Sequence, residues 1–134
     1  MGRMLVAYDG SEHSIKALEK ALSMAAEDEE IVVLYVIPTA ILEEFREIGP
    51  EMPKSKAQDI VNEAVEKIQA RERKAIAVVR EGDVAGEIIH FASELECSLI
   101  LIGSKGVSKI GRFSLGSVAE KVARHADTAV LIIR

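Results

Sequence analysis

Five short apolar runs alternate along the chain with longer stretches in which apolar residues recur every three or four positions. The runs cover residues 4–8, 31–37, 75–79, 98–102 and 129–133. Runs of this length without polar alternation are typical of strands covered on both faces, whereas spacings of three and four are typical of amphipathic helices. The pattern therefore predicts five strands that alternate with four helices.

The four predicted helices show one apolar face each. Their apolar positions are Ile15, Leu18, Ala21, Leu22 and Ala25 in the first, Ala57, Ile60, Val61, Ala64, Val65 and Ile68 in the second, Val84, Ile88, Phe91, Ala92 and Leu95 in the third, and residues 118–126 contain the fourth. We expect Ser11 to cap the first helix and Asp83 the third, because their side-chain oxygens accept a hydrogen bond from the first turn.

This alternation predicts an α/β fold. A connection that contains a helix is long enough for a right-handed crossover between parallel strands, and strands that are apolar throughout need helices on both faces. No internal repeat, linker or low-complexity segment divides the 134 residues. We therefore expect one domain over residues 1–134, with an open, twisted parallel five-stranded sheet between two helix layers.

Residues 39–55 are the least regular part of the chain. Gly49-Pro50 and Pro53 are typical breakers of regular structure, and residues 41–45 suit a short helix. The segment would either connect two elements or cover a bound ligand as a lid. We favour the connection, since most such loops serve only to join elements.

Composition and charge exclude several classes of protein. The formal net charge is −5, whereas a nucleic-acid-binding protein needs a broad basic face. The N-terminus lacks the long apolar core of a signal peptide, and no apolar run reaches the length of a membrane span. The single Cys97 is interpreted as a buried, unreactive thiol. We expect a cytoplasmic protein that binds neither nucleic acid nor a membrane.

The stretch after the fourth apolar run departs from this acidic background. It opens with Gly103-Ser104-Lys105-Gly106, closes with Gly116-Ser117, and carries Lys105, Lys109 and Arg112 without any acidic residue. Glycine lets backbone N–H groups approach an anion, and the first N–H groups of a helix have no partner inside it. A strand, a basic glycine-rich loop and a helix start in this order predict a phosphate site.

The same residues also have structural interpretations. Gly103 would form a turn at the end of a strand, and Ser117 would cap the next helix in a Ser-x-x-Glu box with Glu120. Taken singly, neither residue distinguishes structure from function. The glycines and Ser117 at this spacing, with three cations between them, favour phosphate binding.

Asp9-Gly10-Ser11 follows the first predicted strand. Ligands of open parallel sheets bind beyond the carboxyl ends of the strands, where the strand order reverses. If the first and fourth strands are neighbours at that point, the Asp9 carboxylate would accept hydrogen bonds from a ribose or a base while the glycine loop holds phosphates. Alternatively, Asp9 would bond local backbone N–H groups in a turn.

The spacing Gly103-x2-Gly106-x9-Gly116-Ser117, the opening Val6-Ala7-Tyr8-Asp9 and the closing segment 125–133 resemble the universal stress protein family over essentially the whole chain. In that family this glycine spacing marks the members that bind ATP. The resemblance implies the strand order 3-2-1-4-5, an adenine nucleotide alpha hydrolase-like fold. It also implies homodimers, and a second copy would cover the apolar edge strand at 128–133.

The resemblance further implies which residues contact the nucleotide. Asp9 would lie at the adenosine moiety, and backbone groups of Val36 would face the adenine edge. Gly116, Ser117 and Val118 would present backbone N–H groups and a hydroxyl to the phosphates, with which Mg²⁺ would arrive. Lys105 stands where many members carry Arg or His, a change that keeps the charge. The full set of predicted nucleotide-binding residues is Ala7, Tyr8, Asp9, Val36, Ile102, Gly103, Ser104, Lys105, Gly106, Gly116, Ser117 and Val118.

Efficient catalysis is not expected. The chain has no Gly-Lys-Ser/Thr triplet of a P-loop, and Asp9 is the only obvious carboxylate near the crevice, whereas hydrolysis needs an oriented water and usually a metal carboxylate. His13, His90 and His125 have no metal-ligand spacing. We predict an ATP-binding stress-response or signalling dimer. Slow hydrolysis or self-phosphorylation at Ser117, and a nucleotide-independent interaction module of the same fold, are the alternatives.

Overall fold

All five predicted strands are present in the computed structural model, which describes residues 2–105 and 115–134. They pair in the order β3-β2-β1-β4-β5, and every pair of neighbours is parallel. The strands are β1 Arg3–Ala7, β2 Glu30–Pro38, β3 Lys74–Gly82, β4 Leu99–Gly103 and β5 Ala129–Ile133. The predicted α/β fold and strand order are confirmed.

Helices cover both faces of this sheet. They are α1 Glu12–Met24, α2 Thr39–Glu44, α3 Glu51–Gln69, α4 Val84–Glu94 and α5 Ser117–His125. Successive strand residues point to opposite faces. Val6 therefore packs in a buried cluster with α1 and α3, whereas Leu5 packs in a second buried cluster with α4 and α5. No helix within the described residues is long and apolar enough to cross a membrane.

Two predicted helix caps are confirmed. The Ser11 side chain accepts a hydrogen bond from the backbone N–H of Ser14 at 3.4 Å, and the Asp83 carboxylate accepts one from the N–H of Gly86 at 2.9 Å. Both residues keep an extended backbone immediately before their helix. Short-range bonding of this kind depends only on local sequence, which is why the pattern predicted it.

The predicted Ser-x-x-Glu box at the start of α5 is wrong. The cap is Gly116, which makes no side-chain bond, and Ser117 is already the first helical residue. The physical reason is a distant contact, because the N–H of Gly116 donates to the carbonyl oxygen of Ser104 at 2.7 Å. That bond holds Gly116 in an extended conformation, so Gly116 takes the cap position and the helix begins at Ser117, one residue earlier than predicted.

The segment between β2 and β3 is more regular than the breakers indicated. Its short helix is α2, and α3 already begins at Glu51, six residues before the first periodic apolar residue, Ala57. Pro53 lies in the first turn of α3 and does not interrupt it. First-turn N–H groups have no acceptor within the helix, so a proline there sacrifices no hydrogen bond. The interpretation of Pro53 as a breaker was wrong.

Candidate functional site

The strand register brings the predicted site residues together at the carboxyl ends of the strands. Ala7 lies opposite Leu34 in β2, and Val6 lies opposite Leu101 in β4. Asp9 and Val36 therefore stand at the same level, each two residues beyond the Ala7–Leu34 pair. The sheet order reverses between β1 and β4, which is where α/β sheets form their ligand crevice.

Asp9 makes a local turn. Its Oδ1 accepts a hydrogen bond from the N–H of Ser11 at 2.9 Å, and Gly10 between them has φ of 82°, in the left-handed region that favours glycine. The structural interpretation of Asp9 is thus correct. Because a carboxylate has two oxygens, Oδ2 remains able to accept a hydrogen bond from a ligand.

Gly103 is required by helix packing. A Cβ added at this position would lie 2.6 Å from the Cβ of His13 and 2.9 Å from its carbonyl carbon, closer than real Cβ atoms come to other heavy atoms. The backbone of β4 can approach α1 only because residue 103 lacks a side chain. The sequence pattern assigned this glycine to a ligand, but contact with the protein alone also explains it.

Gly116 and Ser104 join the two ends of the glycine-rich stretch. A Cβ at Gly116 would lie 2.9 Å from the carbonyl oxygen of Ser104, the atom that accepts the Gly116 N–H. The N–H of Ser104 donates in turn to the carbonyl oxygen of Ile133 at 2.7 Å. We call this arrangement of Ser104, Gly116 and Ile133 the loop joint. It corrects one expectation, because the Gly116 N–H is already used and is not presented to a phosphate.

The start of α5 offers backbone donors beside the loop joint. The first turn of a helix offers N–H groups without an acceptor inside the helix, here those of Ser117, Val118 and Ala119. These groups and the helix dipole favour a negative charge at this point. Lys105, half-buried, continues the chain from Ser104. Gly106, Lys109 and Arg112 of the predicted site lie outside the described residues.

Several predicted site residues direct their side chains into the core. Tyr8 belongs to the cluster with α1 and α3, while Val36 and Ile102 belong to the cluster with α4 and α5. Ala7 packs against the second cluster and is half-buried. Contacts of these residues with a ligand would therefore use backbone atoms, as expected for Val36. The backbone N–H of Tyr8 is already bonded to the carbonyl oxygen of Leu34.

The Tyr8 hydroxyl is buried and has no hydrogen-bond partner among residues 2–105 and 115–134, and the residue is 2% exposed. Burial raises the pKa of Tyr8 above its ordinary value, and the carboxylates of Glu63 and Asp9 raise it further. Burial also raises the pKa of Tyr35, with a smaller contribution from Asp9. The Asp9 charge thus acts on two core tyrosines as well as on the crevice.

A cleft of about 370 Å³ opens between the end of β2 and the starts of three helices. It is lined by Pro38, Thr39, Ala40, Gly82, Asp83, Val84, Ala85, Ser117, Val118 and Lys121. Two of these residues, Ser117 and Val118, belong to the predicted site. The other predicted site residues that the structure describes do not line the cleft. The Lys121 ammonium and the start of α5 give the cleft positive groups, which suit an anionic ligand, while the Asp83 carboxylate caps the start of α4.

Sequence reasoning missed the remaining lining residues. Thr39 and Ala40 lie in the segment that was given no ligand contact, and the carboxylate of Asp83 was considered only as a cap. Lys121 follows Ser117 by four residues, so both lie on one face of α5, and that spacing could have revealed it. Among residues 2–105 and 115–134, no group of three or more His, Cys, Asp or Glu side chains is placed to hold a metal ion.

Comparison with known proteins gives a consistent result. The profile of the Universal stress protein family matches residues 1–134. The Universal stress protein YxiE of Bacillus subtilis (strain 168) is 33% identical, over 98% of this chain and 98% of its own.

Solved structures show the same fold. The structure of the hypothetical protein MJ0577 superposes with a TM-score of 0.89 at 24% identity, covering 98% of this chain and 94% of that one. A universal stress protein from Arabidopsis thaliana with AMP bound superposes with a TM-score of 0.77 at 21% identity, covering 99% and 91%. Sheet order, site geometry and full-length similarity lead to one conclusion: this chain belongs to the universal stress protein family.

Proposed function

We propose that the protein binds an adenine nucleotide, with ATP as the ligand, at the carboxyl edge of β1 and β4. The observation that carries this proposal is the position of Asp9 and the loop joint at the reversal of strand order, next to the N–H groups at the start of α5 that have no acceptor within the helix. The AMP complex of a plant protein with the same fold supports it.

Each predicted residue would have a distinct role. Oδ2 of Asp9 would accept a hydrogen bond from the ribose, the backbone of Val36 would face the adenine, and the backbone at Gly103 and Ser104 would follow the sugar. The N–H groups of Ser117 and Val118 would donate to phosphate oxygens, and the charges of Lys105 and Lys121 would favour the triphosphate. Mg²⁺ would enter with the phosphates.

These contacts are sufficient in magnitude for cellular ATP binding. Micromolar affinity corresponds to about −8 kcal/mol. Charge interactions at a helix start contribute about 0.3–2 kcal/mol each, and burial of the apolar surface of the adenine adds about 25 cal/mol per Å². Binding of ATP can thus be explained without any catalytic residue. We propose a stress-response function in which the bound nucleotide changes which partner the protein contacts.

We propose further that two copies form a dimer through β5. The carbonyl of Ile133 faces β4, where it accepts from Ser104. Because successive strand residues direct their backbone groups to opposite sides, Val130 and Ile132 direct theirs to the open edge of the sheet. An apolar strand with free backbone donors and acceptors is a template for another strand, and a second copy would cover it.

The test of nucleotide binding is calorimetry on wild type and Asp9→Asn. Asparagine keeps an oxygen for the Ser11 N–H but removes the charge, so unfolding should change little while ATP affinity falls about tenfold. Asp59→Asn, at an exposed position of α3, is the matched control and should bind as wild type does. A wild type that binds no adenine nucleotide, and releases none on denaturation, would refute the proposal.

A nucleotide-independent interaction module is the second candidate. It is favoured by the packing of two glycines, since Gly103 makes room for His13 and Gly116 makes room for Ser104. Replacement of Gly116 by a bulky residue is therefore not a clean test, because it would break the loop joint whether or not nucleotide binds there. Asp9→Asn avoids this difficulty.

A further inference from the structure

The segment between β2 and α3 carries a stripe of large apolar side chains. Ile41, Phe45, Ile48 and Met52 follow one another at intervals of four, three and four residues. The N–H of Phe45 donates to Ile41 and that of Gly49 donates to Phe45, so helical turns continue beyond the end of α2. This spacing places Ile41, Phe45 and Ile48 on one side of the turns. We call these four residues the 41–52 stripe.

The stripe is exposed to solvent to an unusual degree. The exposed fraction is 77% for Ile48, 62% for Met52 and 36% for Ile41, and Phe45 is half-buried. Elsewhere in the described residues, the only other large apolar residues with comparable exposure are Met24 and Leu115. Single exposed apolar residues are ordinary, but several close together in one short segment are typical of a surface that binds another protein.

The charges beside the stripe have one dominant sign. Residues 39–52 contain the carboxylates of Glu43, Glu44, Glu47 and Glu51 against the single guanidinium of Arg46, a formal net charge of −3. Lys54, which lies 3.4 Å from Glu81, and Lys56 follow Met52 on α3, so the acidic excess belongs to residues 43–51. Arg46 lies 3.2 Å from Glu43, so its charge is partly neutralised. An apolar stripe bordered by carboxylates complements an apolar surface bordered by Lys and Arg, and it repels an anionic membrane.

The same segment forms one wall of the cleft. Thr39 and Ala40, which immediately precede Ile41, line the cleft together with Ser117 and Val118. A ligand in the cleft would therefore contact the first turn of the helix whose next turns carry the 41–52 stripe. This link depends on the proposed nucleotide binding, whereas the stripe itself does not.

We propose that the 41–52 stripe is the docking surface for a basic amphipathic helix of a partner protein, and that nucleotide in the cleft changes its affinity. Apolar side chains of the partner helix cover Ile48 and Met52, and its Lys and Arg side chains pair with the flanking carboxylates. Recognition of this kind places one amphipathic helix against an exposed apolar surface.

The probe is a labelled synthetic helix of about 18 residues patterned from Leu and Lys, with a Leu–Glu counterpart. Fluorescence anisotropy with the full chain should show binding of the basic helix only. The Ile48→Ser/Met52→Ser double variant should bind at least about tenfold more weakly, because a few apolar anchors dominate such interfaces. Met24→Ser, an equally simple change on α1, should bind as wild type does.

Three outcomes would overturn the docking surface. They are equal binding of the acidic and basic helices, equal loss in the Met24→Ser control, and failure of wild type to bind the basic helix. A fourth outcome would also overturn it. If sedimentation velocity shows that the double variant loses self-association, a second copy of the chain covers the stripe and the proposal is wrong.

The link to the cleft is tested by repeating the titration with saturating ATP. A change of threefold or more in helix affinity, on the order of a weak allosteric coupling, is expected, and an unchanged affinity would overturn the link. Calorimetry of the double variant with ATP measures nucleotide binding in a chain whose stripe is altered, so it separates the two proposals. If wild type binds the helix but no ATP, the nucleotide proposal fails while the docking surface stands.

Discussion

The two edge strands of the sheet differ in length, charge and surroundings. β3 has nine residues and includes Lys74, Arg80 and Glu81, whereas β5 has five residues and no charge at all. Both have partly exposed apolar side chains, so hydrophobicity alone does not distinguish them. The comparison teaches that the charged side chains around an edge strand decide whether another strand can pair with it. Such charged side chains are abundant at β3.

Arg80 is the centre of the charged groups at the β3 edge. Its guanidinium lies over the ring of Phe91 at 4.8 Å from the centroid, donates to Glu94 at 2.6 Å, and has its Nε 3.6 Å from Glu87. Lys54 of α3 lies 3.4 Å from Glu81 on the same edge. Another strand that paired with β3 would have to remove water from these charges, which is unfavourable.

The β5 edge has apolar side chains on both sides of the strand. Val130 and Ile132 pack on the face of the sheet that carries α5, while Leu131 and Ile133 pack on the face that carries α1. All four are half-buried. Pairing with another strand at this edge would cover more apolar surface, and β5 itself carries no charge that would lose its water. The difference between the edges supports the proposal that β5, and not β3, receives a second copy.

The largest expected effect comes from Ile132→Pro. Proline removes the N–H that Ile132 directs to the open edge without removing a bond to β4, and a two-fold interface contains the change twice. Two lost hydrogen bonds at about 1.5 kcal/mol each predict dimerisation weakened by about a hundredfold. Sedimentation equilibrium measures this, with Ile132→Val as the control. An unchanged dimer would remove β5 from the interface.

Arg80→Ala is expected to act on stability and not on assembly. It removes a cation–aromatic contact and the pairing with Glu94, so the free energy of unfolding should fall by about 1–2 kcal/mol in urea titration. Arg80→Met keeps the apolar contact with Phe91 and should lose less. If Arg80→Ala also changed dimerisation, the assignment of separate roles to the two edges would be incorrect.

Thr128→Val tests how the amino end of β5 is anchored. The Thr128 hydroxyl donates to the carbonyl oxygen of Cys97 at 3.1 Å, so a methyl group in its place leaves a half-buried acceptor unpaired. We expect the free energy of unfolding to fall by about 1 kcal/mol. Thr39→Val, at an exposed position of α2, is the control and should change little. Equal stability of wild type and Thr128→Val would show that this bond does not contribute.

The smallest effect concerns alkaline pH. Burial raises the pKa of the Cys97 thiol above its ordinary value, with a smaller opposing effect from Arg3. The unfolded chain then loses this proton before the folded one does, so the contribution of the thiol is complete below its ordinary pKa of about 8.5 and declines as pH rises above it. Urea titrations at several pH values should show a shallower decline for Cys97→Ala, because the buried tyrosines act in the same direction in both proteins. Identical slopes would contradict the assignment.

The elements and the caps of α1 and α4 were predictable because local sequence decides them. The short length and β-branched residues of the apolar run 31–37 favour a strand covered on both faces, and Ser11 and Asp83 bond N–H groups only three residues away. The carboxyl-edge position of Asp9 followed from the same pattern, once alternating strands and helices implied a parallel sheet. The glycine spacing indicated at which positions the backbone lies very close to another group, without indicating which group.

What the glycines approach was decided only by tertiary structure. Gly103 faces His13, which is ninety residues away in sequence, and Gly116 bonds Ser104 across the whole loop, which moved the start of α5. The walls of the cleft likewise combine α2, α4 and α5. Sequence by itself thus determined the elements, because hydrogen bonding and apolar periodicity act over a few residues. Tertiary structure decided which N–H groups remain free and which side chains meet, because those depend on contacts between distant parts of the chain.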